Sequence, residues 1–170
     1  RTREFAGKHG IATWFTDYGK MIADTDLDAL VVAAPEEAHH DMCMAGMDAG
    51  LHVLCEKPLA MTEAQARAMA SAAAAAGIVH MTYFTWRWLP CFRYLKQLID
   101  DGDVGKLYES SFRFAGGYGR DGLYQWKWDR RHGLGVLGDL GSHMVDLAHY
   151  LIGGVTSVSA SLASLVNRPP

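Results

Sequence analysis

Three groups of residues have types and spacing that could do chemistry. The first is Cys55-Glu56-Lys57-Pro58, at the end of the apolar run Leu51-His52-Val53-Leu54-Cys55. A lysine fixed just after a buried strand can donate to a hydroxyl or carbonyl oxygen. Partial desolvation also lets its ammonium lose a proton. The alternative is a solvated loop lysine. The second group is Asp139, His143 and Asp146, spaced by four and then three residues, so that all three share one helical face. A carboxylate beside an imidazole orients the ring and raises its basicity, which suits proton transfer. Two alternatives stand: a capping aspartate with a structural histidine, and metal ligation by the same three side chains. No second ligand cluster of clear spacing supports a metal. His39-His40-Asp41 is a weak candidate, since adjacent histidines are more often surface residues. No metal is therefore expected. The third group is Tyr118, Tyr124, Trp126 and Trp128 with Arg120, Lys127 and Asp129, in a Gly-rich stretch. Rigid rings with polar tips suit carbohydrate-like ligands, and Trp126 is the ring assigned to substrate. The other reading is that these rings cover a domain junction.

The elements that must position these groups alternate along the first half. The run 29–34 reads as a buried parallel strand ended by Pro35. A helix is predicted from about Glu36 to Ala49, with Gly50 just past its end. Leu51–Cys55 is a second strand. Thr62-Glu63-Ala64-Gln65 is a capping box, opening an Ala-rich helix that Gly77 closes. Residues 78–84 form a third strand. Upstream, Gly10-Ile11-Ala12-Thr13 reads as another strand, and Thr16-Asp17-Tyr18 starts a short helix. Strand–helix alternation with tight connections means a parallel, doubly wound α/β sheet. In such sheets ligands lie beyond the carboxyl ends of the strands. Three such ends are Ala34-Pro35, Glu56-Lys57-Pro58 and Thr85-Trp86-Arg87.

After Trp86 the rhythm changes. An amphipathic helix covers 92–99, and 106–115 alternates like an antiparallel strand. Residues 116–135 are loop-like, a helix covers about 139–151, and 155–166 alternates again. This predicts a second, α+β domain with a mostly antiparallel sheet. The expected domains are 1–86 and 87–170.

The chain has 170 residues, 49% of them hydrophobic, and a net charge of −3. That balance lacks the basic stripe of a nucleic-acid footprint. The three scattered cysteines do not form a disulfide framework, which points to a reducing, cytoplasmic setting. No run reaches the roughly 18–20 apolar residues of a membrane span. No signal peptide is read at Arg1-Thr2-Arg3-Glu4, and both ends look cut. The strand–helix half, residues 1–86, holds no Gly-x-Gly-x-x-Gly; in a dinucleotide fold it follows the first strand. That strand and turn are expected to precede Arg1.

Taken together, these motifs resemble the glucose–fructose oxidoreductase/inositol dehydrogenase (Gfo/Idh/MocA) family. Residues 28–39 resemble its fourth strand and Thr-Pro-Asn-x-x-His signature, with Ala34 and Glu36 in place of Thr and Asn. Glu56-Lys57-Pro58 matches its hallmark, where the Lys-Pro bond is commonly cis. Arg87-Trp88-Leu89-Pro90 matches its Arg-x-x-Pro element, and residues 138–146 match its second-domain signature. The resemblance implies an internal part of an NAD- or NADP-dependent oxidoreductase. It implies reversible hydride transfer with a secondary alcohol or ketone of a sugar or cyclitol, in a homo-oligomer when full length. Lys57 would hydrogen-bond the reacting oxygen, His143 would be the general acid/base, and Asp139 would assist the proton or bind substrate hydroxyls. Lys57, Trp126, Asp139 and His143 would meet the substrate, and Asp146 would orient His143 or its helix. Ala34, Pro35, His39, Glu56, Lys57 and Arg87 would bind the cofactor, and Arg1 is placed to meet a 2′-phosphate. Two further readings on the same fold are an NAD-dependent glycosidase and a non-catalytic nucleotide- or sugar-sensing protein. Lys57 belongs to the first domain and the Asp–His pair to the second, so they act together only if the junction brings them to one ligand.

Overall fold

The computed structural model describes residues 1–115, 117, 123–129 and 131–163. The chain divides into two compact units, Arg1–Thr82 and Tyr83–Pro170.

In the first unit the order is α1 (Thr2–Lys8), α2 (Tyr18–Asp24), β1 (Ala29–Val32), α3 (His39–Asp48), β2 (His52–Glu56) and α4 (Glu63–Ala76). The strand β3 (His80–Tyr83) closes the series. The sheet order is β1-β2-β3. Strands β1 and β2 are parallel, in register from Ala29 opposite His52 to Val32 opposite Cys55. Val53 N–H donates to the Val79 carbonyl at 2.9 Å, which extends the sheet toward β3.

Local chemistry sets the helix ends. Asp17 accepts from the Lys20 N–H at 2.9 Å and starts α2. Thr62 accepts from the Gln65 N–H at 3.2 Å and starts α4. The Thr62 hydroxyl also donates to Gln65 Oε1 at 3.4 Å, in place of the Thr62 backbone N–H that would complete the capping box. Gly50 and Gly77, at φ +76° and +65°, take the left-handed turns that end α3 and α4.

The core lies between the sheet and these two helices. Leu30, Val32, Val53 and Cys55 from the strands meet Cys43 and Met47 of α3 and Met69 and Ala73 of α4. Gly46 lets α3 close on the sheet, since a Cβ there would lie 2.8 Å from a Leu30 methyl. Two expectations fail in this unit. Strand β1 is covered on one face only: Leu30 and Val32 are buried while Val31 is 66% exposed. Its apolar run reads as doubly buried because composition does not reveal which face a helix covers. Gly10–Thr13 forms no strand, and Ile11 stands exposed, with neither a ladder nor a packed face to hold it extended.

The second unit holds α5 (Pro90–Asp100), whose first turn is opened by Pro90, and α6 (Ser142–Leu151). Short 3-10 turns occupy Thr85–Trp88 and Trp126–Trp128. The expected helix over 139–151 is interrupted at its start by a π turn, Leu137–Gly141. Among the described residues, 106–115 and 155–163 carry no strand pairing; residues 164–166 lie outside them. Alternation marks a face, but a strand also needs a neighbour's N–H and C=O groups. The apolar positions such a sheet would cover, Phe114, Val155 and Val158, remain exposed. No helix among the described residues is long and apolar enough to cross a membrane.

His80 should make this fold sensitive to pH. Its Nε2 is buried without a hydrogen-bond partner among the described residues. Burial holds its pKa below the ordinary histidine value. The unfolded chain therefore binds a proton more readily than the folded one, and stability falls as pH drops through the unfolded value of about 6.5 toward the lower folded one. Urea midpoints measured from pH 7.5 down to pH 5 should decline, and His80→Phe should remove part of that slope. An identical slope in the variant would clear His80.

Candidate active site

In the first unit the site is built from the carboxyl ends of β1 and β2. Strand β1 runs out through Ala33 and Ala34 to Pro35, after which a 3-10 turn, Glu36–Ala38, leads into α3. Strand β2 ends at Glu56, followed by Lys57 and Pro58 in a cis peptide. His39, the first residue of α3, is 1% exposed and joins the two ends. Its Nε2 lies 2.9 Å from the Ala34 carbonyl and its Nδ1 2.9 Å from the Pro58 carbonyl. Carbonyls only accept, so a neutral ring donates to one of them at a time and a doubly protonated ring to both. Both ring nitrogens of His39 are therefore engaged by the chain itself. The Lys57 N–H donates to the Glu56 carboxylate at 3.1 Å, which orders the loop from its other side. Lys57 is half-buried, Pro35 exposed and Ala34 half-buried.

Behind this loop, Cys43 of α3 and Cys55 of β2 are fully buried and free. Their mutual hydrogen bond, together with burial, pushes the Cys55 thiol well up. That makes it an inert core group rather than a nucleophile.

In the second unit His143 lies in the first turn of α6 and is 6% exposed. Asp139 falls within the π turn, a feature that often marks functional segments. The Lys127 ammonium lies 3.2 Å from the Asp139 carboxylate and 5.1 Å from the Trp128 ring centroid. Asp146 is 8% exposed and pairs with Arg87, whose Nε donates at 3.0 Å while a second guanidinium nitrogen also bonds. Hydrogen bonding to Asp146 raises the Arg87 pKa further. The same guanidinium lies 5.2 Å from the Tyr150 ring. Arg87, expected at the cofactor, is thus committed within its own unit to holding α6. Asp146, expected to orient His143 or the helix, acts on the helix through Arg87.

Trp126 is 44% exposed and begins the 3-10 turn that carries Lys127. Tyr124 donates to Asp129 at 3.3 Å. Asp129 is bound by Arg131, whose hydrogen bonds hold its carboxyl well below the usual range. Tyr118 and Arg120 lie outside the described residues. No group of three or more metal-ligating side chains assembles among the described residues.

Sequence reasoning missed three contacts. Arg87 with Asp146 spans 59 residues and Lys127 with Asp139 spans 12, so no helical spacing reveals either. The third is a stack of Trp86 on His143. The only available signal was that each partner stands beside a motif already singled out.

The chain belongs to the Gfo/Idh/MocA oxidoreductases. Residues 1–84 match the oxidoreductase family with an NAD-binding Rossmann fold, and residues 92–169 match the GFO/IDH/MocA C-terminal domain. Levoglucosan dehydrogenase of Pseudarthrobacter phenanthrenivorans is 32% identical over 98% of this chain and 44% of its own. The scyllo-inositol 2-dehydrogenase (NADP(+)) of Bacillus subtilis is 33% identical over 95% of this chain and 50% of its own. A crystal structure of levoglucosan dehydrogenase with NADH and levoglucosan superposes with a TM-score of 0.88 at 30% identity, over 99% of this chain and 46% of that one. The chain spans about half the length of the curated relatives it matches.

The Arg87–Asp146 pair gives a direct test. Arg87→Met leaves a buried carboxylate without its cation and should cost roughly 3 kcal/mol in urea unfolding. Adding Asp146→Leu should recover most of that loss, because two apolar side chains replace the pair. A single variant as stable as the parent chain would show that the pair does not hold α6.

Proposed function

We propose that this chain supplies the nicotinamide-proximal strand ends and the acid/base helix of an NAD- or NADP-dependent dehydrogenase. Its substrate is a secondary alcohol, or the matching ketone, of a sugar or cyclitol. The observation that carries this reading is the placement of Lys57 directly after the central strand β2, with its loop held by the buried His39. The substrate class rests on the relatives, which are named for levoglucosan and scyllo-inositol.

The residues at the strand ends fit a nicotinamide riboside. Pro35 offers an exposed apolar edge, while Glu56 and Lys57 offer an acceptor and a donor for ribose hydroxyls. When bound, the cofactor gives or takes the hydride. The chain's own residues manage position and protons. Lys57 donates a hydrogen bond to the reacting oxygen and stabilises negative charge there as the C–H bond breaks. His143 takes the hydroxyl proton in the oxidising direction and returns it in the reducing one. Its Nε2 is the nitrogen for that transfer, because Nδ1 is shut away from solvent. Asp139, its charge countered by Lys127, accepts from a neighbouring substrate hydroxyl.

Turnover is read as the change in reduced-nicotinamide absorbance for the full-length protein across sugars and cyclitols with both cofactors. Lys57→Ala and His143→Asn should each lower kcat by roughly 10²–10⁴-fold, the range of a positioned proton-transfer group. Absence of turnover across the panel, or variants as active as the parent, would end this reading.

A further inference from the structure

We infer that Trp86 is a positioning residue for His143: its indole face fixes the imidazole plane and favours the protonated ring. The inference rests on His143 being the acid/base group.

The two rings lie face to face, with centroids 4.5 Å apart and planes only 6° apart. Phe84 meets the imidazole edge-on at 5.9 Å and 78°. Phe114 also lies near Trp86, with ring centroids 6.1 Å apart and planes tilted by 30°. Turning the imidazole about its own side-chain torsion would break the parallel stack and drive it against Phe84. Its plane is therefore set from two directions, before any substrate arrives.

The stack also acts on charge. The face of an indole is electron-rich, so it attracts an imidazolium more than a neutral imidazole. Burial works the other way, since a ring 6% exposed loses hydration when it charges. Trp86 offsets that loss where water cannot. The other charged groups on the elements packed against α6 come largely in pairs. Arg87 is matched by Asp146, Asp139 by Lys127, and Lys96 of α5 by Asp100. Arg93 on α5 and His149 on α6 complete the set. Paired charges largely cancel at the imidazole, whereas the indole face is in direct contact with it.

One short segment thus holds both the ring and its helix. Trp86 stacks on His143, and the next residue, Arg87, binds Asp146 one turn further along α6. A 3-10 turn of four residues, Thr85–Trp88, gives adjacent side chains these two tasks.

The test is an NMR titration of the His143 ring in the full-length protein, assigned with His143→Gln. Trp86→Leu keeps an apolar cover but removes the π face. It should lower the His143 midpoint by roughly half to one and a half pH units, from the strength of a buried cation–π contact. Trp86→Phe, which keeps an aromatic face, should restore most of that shift. The acid limb of kcat/KM for alcohol oxidation should move to lower pH in Trp86→Leu by the same interval. Should Trp86→Leu not fold, fluorinated tryptophan incorporated into the unaltered chain drains the ring face without changing its shape, and should also lower the midpoint. An unmoved midpoint, or equal shifts in the Leu and Phe variants, would overturn the inference. Because the titration needs no turnover, it stands apart from the functional reading. Full activity in His143→Asn would remove the acid/base role while leaving the stack measurable.

Discussion

The backbone carbonyls of Ala34 and Pro58 converge on one buried imidazole, and the geometry of the first unit's strand ends depends on that meeting. A parallel sheet delivers its strand ends to one side, but it does not fix the loops that leave them. His39, the first residue of α3, reaches back to the end of β1 and across to the loop after β2. An orphaned carbonyl in such a setting costs about 1–3 kcal/mol, so the ring and both loops hold one another in place. Lys57 inherits its position from this arrangement, helped by the Glu56 carboxylate on its own N–H. Beneath it, the Leu30, Val53 and Met69 core keeps the strands and helices from shifting.

The second unit solves the same problem with charge and aromatic faces instead of a buried carbonyl bridge. Arg87 grips Asp146, Trp86 stacks on His143, and Lys127 meets Asp139. Each contact joins α6 or the π turn before it to a short 3-10 segment. The helix alone would leave Asp146 buried without a counter-charge. With Arg87 bound, its cost is offset and the face bearing His143 is fixed.

Much of this organisation is legible in the residues. Thr62 with Gln65, Gly50 and Gly77 mark helix ends by conformational chemistry that acts over a few residues. The alternation of apolar runs and helical stretches marks the parallel sheet. Lys57, Asp139 and His143 are legible as candidates because their motifs are local. What the residues do not reveal is what spans distance. Asp146 looks like a partner for His143 by helical spacing, yet a guanidinium 59 residues upstream binds it. His39 reads as a ligand contact, yet both its nitrogens are turned to carbonyls. The alternating stretches 106–115 and 155–163 read as strands, although alternation specifies a face and not the neighbour that must pair with it. Likewise the run 29–34 does not reveal that Val31 faces outward.

What remains to be tested is the proposal that, in the full-length protein, Lys57 hydrogen-bonds the reacting oxygen and His143 moves its proton in the same chemical step. A double-substitution cycle in the full-length protein tests it most directly: kcat/KM for the parent, Lys57→Ala, His143→Asn and the double variant. Residues that act on one transition state are strongly non-additive, so the double variant should lose little more than the worse single one. Losses that multiply in full, as for two independent sites, would contradict the account.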